Sequence, residues 1–289
     1  MKTLMNNKLL YVLIMLLSFL VQPAQAKIDH TFSITSNTTK KLGEWVDKDT
    51  IVFIELDDTL MMPKSLMFSF DRNPYRMFID NLVSVGEKSP MFYQAVAVWY
   101  GQRKVKLVED GWPDLIKQMQ AKGAKVYGIC KMPINLTNIE NKRLQELKEL
   151  GVTFTTSINE LEDIMVKKEQ PWFSRFYKGV LFTGPYSKMH AIMELFRVTN
   201  NIPKKLLVFL NMNYEVKEVD TALRVFNMEY YIVEYLASRQ ILGRPNKEVV
   251  KFQQEQLIEA GMWLEDDAAE NLLKQSKQQQ NKNAAEVPK

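Results

Sequence analysis

Short apolar runs ending in polar residues recur along this chain, and between them apolar residues return every three or four positions. The first pattern is that of strands buried on both faces, which read as near-continuous hydrophobic runs because helices cover either side of a parallel sheet. The second is that of amphipathic helices. Residues 51–54, 124–129, 179–183, 205–210 and 230–233 fit the strand pattern, and a shorter strand is expected over 152–155. Helices are predicted over 113–122, 136–150, 158–168, 187–198, 215–226 and 247–261. Gly123 and Gly151 stand where helices stop and Ser187 where one starts, the places favoured by glycine's access to positive φ and by serine's side-chain oxygen. Helix, glycine and buried strand in that order predict an α/β domain on a parallel sheet.

The remaining stretches carry less pattern. Residues 33–41, rich in Ser, Thr and Asn, read as a loop or an early edge strand before 42–46. Residues 61–110 abound in Met, Phe and Tyr without strand alternation, so they are expected to form a mainly helical insertion whose best helical pieces are 73–82 and 90–100. Met61, Met62, Met67, Phe68 and Phe70 are expected to fill core, methionine being the adaptable filler of irregular interiors. A core domain over 27–245 would then be followed by C-terminal helices over 246–274 and a solvated, disordered tail over 275–289, dominated by Gln, Lys, Asn and Ala.

Residues 1–26 read as a secretory signal peptide: Lys2 and Lys8 form a basic start, 9–21 is apolar, and Ala24 and Ala26 offer small residues for cleavage. The apolar run falls short of the roughly 20 residues of a spanning helix, so no stable membrane span is expected after cleavage. Loss of Lys2 and Lys8 would lower the formal charge from +4 to +2. That near balance argues against nucleic acid as a partner, which would call for a gathered basic face. Cys130 is the only cysteine, so the fold must be held by its core rather than by an intramolecular disulfide.

The candidate chemistry sits at strand ends. Ile51 to Ile54 lead into Glu55, Asp57, Asp58 and Thr59; the 124–129 run ends in Cys130; 179–184 precede Ser187 and Lys188; and 205–210 end in Asn211, Met212 and Asn213. In order and placement these resemble the four motifs of the haloacid dehalogenase-like (HAD) phosphohydrolases. With the signal peptide, they resemble more narrowly an exported bacterial group, the DUF2608 family. The resemblance implies a HAD-like (Rossmann-like) α/β fold, a parallel sheet flanked by helices with a mainly helical cap insertion at about 61–110. It also implies roles: Glu55 at the nucleophile position, Asp57 at the acid/base position, Thr59, Cys130 and Lys188 around a phosphoryl group, and Glu55, Asp57 and Asn211 as ligands of Mg²⁺.

Several of these positions depart from the family's pattern. Glu55 replaces an aspartate and is one methylene longer, moving the attacking oxygen by about 1 Å, a displacement that can cost about a hundredfold in rate. Cys130 replaces a hydroxyl with a weaker hydrogen-bond donor. Asn211 and Met212 replace paired acids, and a thioether is a poor donor to Mg²⁺. Magnesium is therefore expected to bind weakly. Cys130 as a cysteine-phosphatase nucleophile would need an arginine at position 136, where Leu136 stands, and His30 and His190 lack ligand-spaced partners. The expected protein is a periplasmic or secreted pseudophosphatase that binds a phosphorylated small molecule or a protein partner. The alternative is an active Mg²⁺-dependent acid phosphatase using Glu55.

Overall fold

The computed structural model describes residues 30–36, 41–70, 73–86, 89–132, 136, 138–169, 172–226 and 228–285. The expected signal peptide lies outside them. From Thr31 onward the chain forms one compact unit. Its sheet is laid down by β1 (Thr31–Ile34), β2 (Thr50–Glu55), β5 (Lys125–Cys130), β6 (Asp163–Glu169), β7 (Trp172–Tyr177), β8 (Val180–Phe182), β9 (Lys205–Leu210) and β10 (Glu229–Tyr235), in the spatial order β1-β10-β9-β2-β5-β8-β7-β6. Pairing is parallel from β1 through β8 and antiparallel for the β8-β7-β6 edge. The protein is thus a mixed α/β fold on a mostly parallel sheet flanked by helices, as the strand and helix patterns predict.

Alternation along the central strands divides the interior in two. Val52 and Ile54 of β2 and Leu207 and Phe209 of β9 enter one core, shared with α1 (Lys41–Glu44), α4 (Trp112–Ala121), α5 (Ile139–Glu149) and α8 (Lys247–Glu259). Ile51, Phe53, Leu206 and Val208 face the other, closed by α6 (Lys188–Thr199) and α7 (Asn213–Leu223). Both faces of β2 are buried over its whole length. This leaves its carboxyl end, and those of β5 and β9 beside it, as the places where polar groups can gather.

Residues 61–107, between β2 and α4, form the expected insertion, but it is not wholly helical. Its helices α2 (Phe78–Gly86) and α3 (Pro90–Gln102) are framed by a two-stranded antiparallel ribbon, β3 (Met61–Pro63) and β4 (Val105–Leu107). Met61, Met62, Met67 and Phe68 are buried and fill core, whereas Phe70, expected to join them, is only half-buried.

Three further expectations are corrected. Residues 158–168, predicted helical, carry an isolated Ile158–Leu161 bridge and then β6, which pairs with the aromatic-rich β7. Residues 152–155 form no strand: Thr155 N–H donates to the Val126 carbonyl at 2.8 Å, but Gly128 N–H is already committed to Gly179 O at 2.9 Å, so β8 takes that edge of β5. Of the expected tail, residues 275–285 continue as helix α9 (Asp266–Ala285), and 286–289 lie outside the described residues; Ala, Gln and Lys are good helix formers, and no Gly or Pro stands within α9.

Candidate active site

The turn after β2 organises the site. Asp58 takes φ 61°, a left-handed conformation that Asp tolerates better than most residues. Its N–H bonds the Met61 carbonyl at 2.8 Å while Leu60 and Met61 N–H return to Leu56 O. This tight turn sets Glu55, Asp57 and Thr59 at the sheet edge. Cys130, at the end of β5, reaches Asp57 Oδ2 through its thiol at 3.5 Å. Asn211, at the end of β9, donates its backbone N–H to Glu55 Oε2 and its side-chain amide to Asp57 O, both at 2.9 Å. Arg239 holds the Asn211 carbonyl at 2.7 Å. Lys188 enters from the first turn of α6, which Ser187 starts by accepting the His190 N–H at 3.3 Å. Glu55, Asp57, Thr59, Cys130, Lys188 and Asn211 therefore meet within one cluster of hydrogen bonds.

Two charged constellations hold it. In the first, the buried Lys188 ammonium bridges Glu55 Oε1 and Glu215 Oε2, the latter at 2.6 Å. Burial pushes the Glu55 carboxyl up to about 7, against the pull of Lys188 and with the push of Glu215. Burial would lower the Lys188 ammonium, but Glu55 and Glu215 outweigh it and hold the ammonium protonated. In the second, Arg143 donates to Asp57 Oδ1 at 2.9 Å and to Glu146 Oε2 at 2.6 Å, while Arg103 forks onto Glu146 at 3.0 and 3.3 Å and touches Asp57 Oδ1 at 3.4 Å. Arg103 also lies over Trp99 and Tyr100, at 4.4 and 4.6 Å from their ring centroids. Asp58, raised by burial to about 6 despite Arg76, pairs with that guanidinium.

A cavity of about 250 Å³ opens onto these groups. Glu55, Asp57, Lys188 and Asn211 line its floor, Phe68, Phe70, Trp99 and Tyr100 its insertion side, and Met77, Met212 and Tyr214, all exposed, its rim. Thr59 and Cys130 stay behind that floor. Thr59 is fully buried, with its hydroxyl 3.5 Å from Glu55 Oε2 and its carbonyl bound by the Trp112 indole N–H. Burial, followed by the nearby Asp57, pushes the Cys130 thiol well above its ordinary range, so it stays a thiol. Of the three expected phosphoryl contacts, Lys188 alone borders the cavity.

Magnesium requires a near-octahedral set of oxygen donors. Here both Glu55 oxygens accept hydrogen bonds, from Lys188 and from Asn211 N–H, and Asp57 O accepts from the Asn211 amide. Asn211 Oδ1, beside them, is a buried acceptor left without a partner. Among the described residues no group of three or more His, Cys, Asp or Glu is arranged to hold a metal. The expected ligand set thus offers one free neutral oxygen beside three that accept hydrogen bonds.

The sequence pattern does not single out Glu215, Arg103, Arg143 or Glu146. Arg143 left a trace, standing four residues from both Ile139 and Leu147 on a stripe that is otherwise apolar. A charge on the buried face of a helix calls for a partner.

A family model described as "Protein of unknown function (DUF2608)" matches residues 27–270. An uncharacterized protein of Rickettsia prowazekii (strain Madrid E) is 31% identical over 271 residues, covering 93% of this chain and 98% of the relative. An uncharacterized protein of Rickettsia bellii (strain RML369-C) is 18% identical over 247 residues, covering 82% of this chain and 85% of the relative. Among solved structures, the class C acid phosphatase from Bacillus anthracis with tungstate bound aligns with a TM-score of 0.31 and 13% identity, covering 78% of this chain and 84% of that one.

Proposed function

We propose, from the premise that this chain belongs to the DUF2608 family, that it is a HAD-like pseudophosphatase: a phosphohydrolase scaffold that binds at its cavity and has lost efficient turnover. The observation that carries this reading is the Lys188 bridge between Glu55 and Glu215, with Asn211 N–H on the remaining Glu55 oxygen. Attack by a carboxylate oxygen needs that oxygen free and the phosphoryl charge offset. In this site both Glu55 oxygens are occupied, and of the oxygens that would hold Mg²⁺ the Asp57 carbonyl also accepts a hydrogen bond, which leaves the neutral Asn211 Oδ1 free. What persists is a cavity with a buried cation on its floor and aromatic rings on its wall, suited to a small phosphorylated ligand whose anionic end would compete with the two glutamates for Lys188. A partner protein that presents such a group is the other form of the same reading. Residues 1–26 are taken to be removed on export, so the working protein starts at Lys27 in the periplasm or outside the cell.

The unpartnered Asn211 Oδ1 favours one other reading, an active Mg²⁺-dependent acid phosphatase using Glu55. A single assay separates the two. With an aryl phosphate and Mg²⁺, wild type is expected to turn over far below the roughly 10 per second of a median enzyme. EDTA-sensitive turnover near that value would establish the active phosphatase. A variant carrying Glu55→Asp, Cys130→Thr, Asn211→Asp and Met212→Asp should gain Mg²⁺ binding and activity together, and cooperatively, with Glu55→Asp alone restoring little.

A further inference from the structure

The insertion delivers Arg103 to Asp57 and Glu146, and a segment distant in sequence holds the insertion where that delivery happens. Arg103 caps the end of α3, its N–H on Trp99 O at 2.9 Å, and its guanidinium forks onto Glu146 and touches Asp57. The residues on either side of it are tied to the C-terminal part of the chain. Gln102 Oε1 accepts the Trp263 N–H at 2.8 Å, and Lys104 N–H donates to Glu265 Oε1 at 2.8 Å. The same glutamate oxygen takes the Trp263 indole N–H at 3.0 Å. One residue further on, Asp266 grips the other limb of the insertion, accepting Ser65 Oγ–H at 2.6 Å and Leu66 N–H at 2.8 Å, and is itself fixed by the buried Gln253 at 2.9 Å. Trp263 packs between these ties, with its ring centroid 5.8 Å from Phe68 and 6.5 Å from Trp99, two of the cavity-wall residues.

We infer that residues 263–266 are a clamp on the insertion whose output is Arg103, a positioning residue for Asp57 and Glu146. With the clamp closed, the guanidinium completes the Arg143–Glu146–Asp57 network and fixes the aromatic wall of the cavity. Released, the insertion would draw Arg103 away and leave the buried Glu146 to Arg143 alone. The insertion is accordingly a built-in wall of the site rather than a freely hinged lid. This inference is independent of whether the site hydrolyses phosphate.

The experiment follows proton exchange at side chains by NMR in the full chain. The Arg103 Nε–H reports the delivered residue, and the Trp112 indole N–H, buried on Thr59 O at 3.0 Å, reports the integrity of the core. In the double variant Glu265→Gln and Asp266→Asn, Arg103 Nε–H exchange is expected to rise about tenfold or more while that of Trp112 is unchanged, since local opening can occur without global unfolding. The milder Ser65→Ala, which removes one tie, should give a smaller rise in the same direction. Faster exchange of the Leu66 and Lys104 amides with Arg103 unmoved would overturn the inference, because the clamp would be open without consequence for the site. Equal acceleration of Arg103 and Trp112 in both variants would overturn it too, since clamp and core would then be one cooperative unit.

Discussion

Replacing Lys188 by methionine would leave the carboxyls of Glu55 and Glu215 facing one another without the ammonium that separates them. Removing one partner of a buried ion pair costs about 3–5 kcal/mol, and here two acids lose the same cation. The pH dependence has a definite sign. Glu55 titrates near 7 in the folded chain against its ordinary 4.5, so the folded state binds more protons across that window. Its contribution to stability is full below about 4.5 and lost as pH rises through about 7. Without Lys188, which draws that value down, the window extends upward. Thermal melts of Lys188→Met should therefore show a larger deficit from wild type at pH 8 than at pH 5; equal deficits would mean that Lys188 does not neutralise these acids. At this scale Glu55, Asp57, Lys188 and Asn211 were legible in the sequence because each stands where an apolar run stops or a helix begins. Arg103, Glu146 and Glu215 were not, and Arg143 left only the trace of a charge on an apolar stripe, since a charge in or at the end of a helix reads as solvent-facing until its partner, 43 residues away for Arg103 and Glu146, is known.

The helix that carries Lys188 depends on its first turn. Ser187 accepts the His190 N–H and so satisfies one of the donors left free at a helix start. Ser187→Ala is expected to lower the unfolding free energy by about 1 kcal/mol and Ser187→Gly by only a few tenths, as for other N-caps; urea titrations of both variants would show it, and equal losses would point to packing rather than capping. This element was legible because its signal is local. The 158–168 segment shows the opposite case. Ile158, Leu161 and Met165 carry helical spacing, whereas Ile164 and Val166 carry strand alternation. In the fold Leu161 and Met165 are exposed and Val166 is buried with Phe176, so the alternation was the informative pattern. What decided between them was pairing with β7, which no local spacing reveals.

The whole molecule places its chemistry by burying the sheet on both sides and leaving the strand ends for polar groups. This arrangement was legible from the sequence because continuous apolar strands between amphipathic helices have few other solutions. The clamp was not legible, since Ser65 and Asp266 meet across 201 positions and neither carries a local pattern. Two cores separated by one sheet also make a quantitative claim about cooperation. Ile116 on α4 is buried in one core and Ile192 on α6 in the other, so neither side chain shares a cluster with the other. Ile→Val at either site removes one methylene and should cost about 0.5–1.5 kcal/mol. If the sheet separates the cores, the double variant should lose the sum of the two within about 0.5 kcal/mol, as for sites without common partners. Urea midpoints should shift while the slope with denaturant stays constant, because the same surface is exposed on unfolding. A coupling well above that margin would mean that the strands transmit packing strain from one face to the other. The strand ends at Glu55, Cys130 and Asn211 would then respond to changes on either side of the sheet.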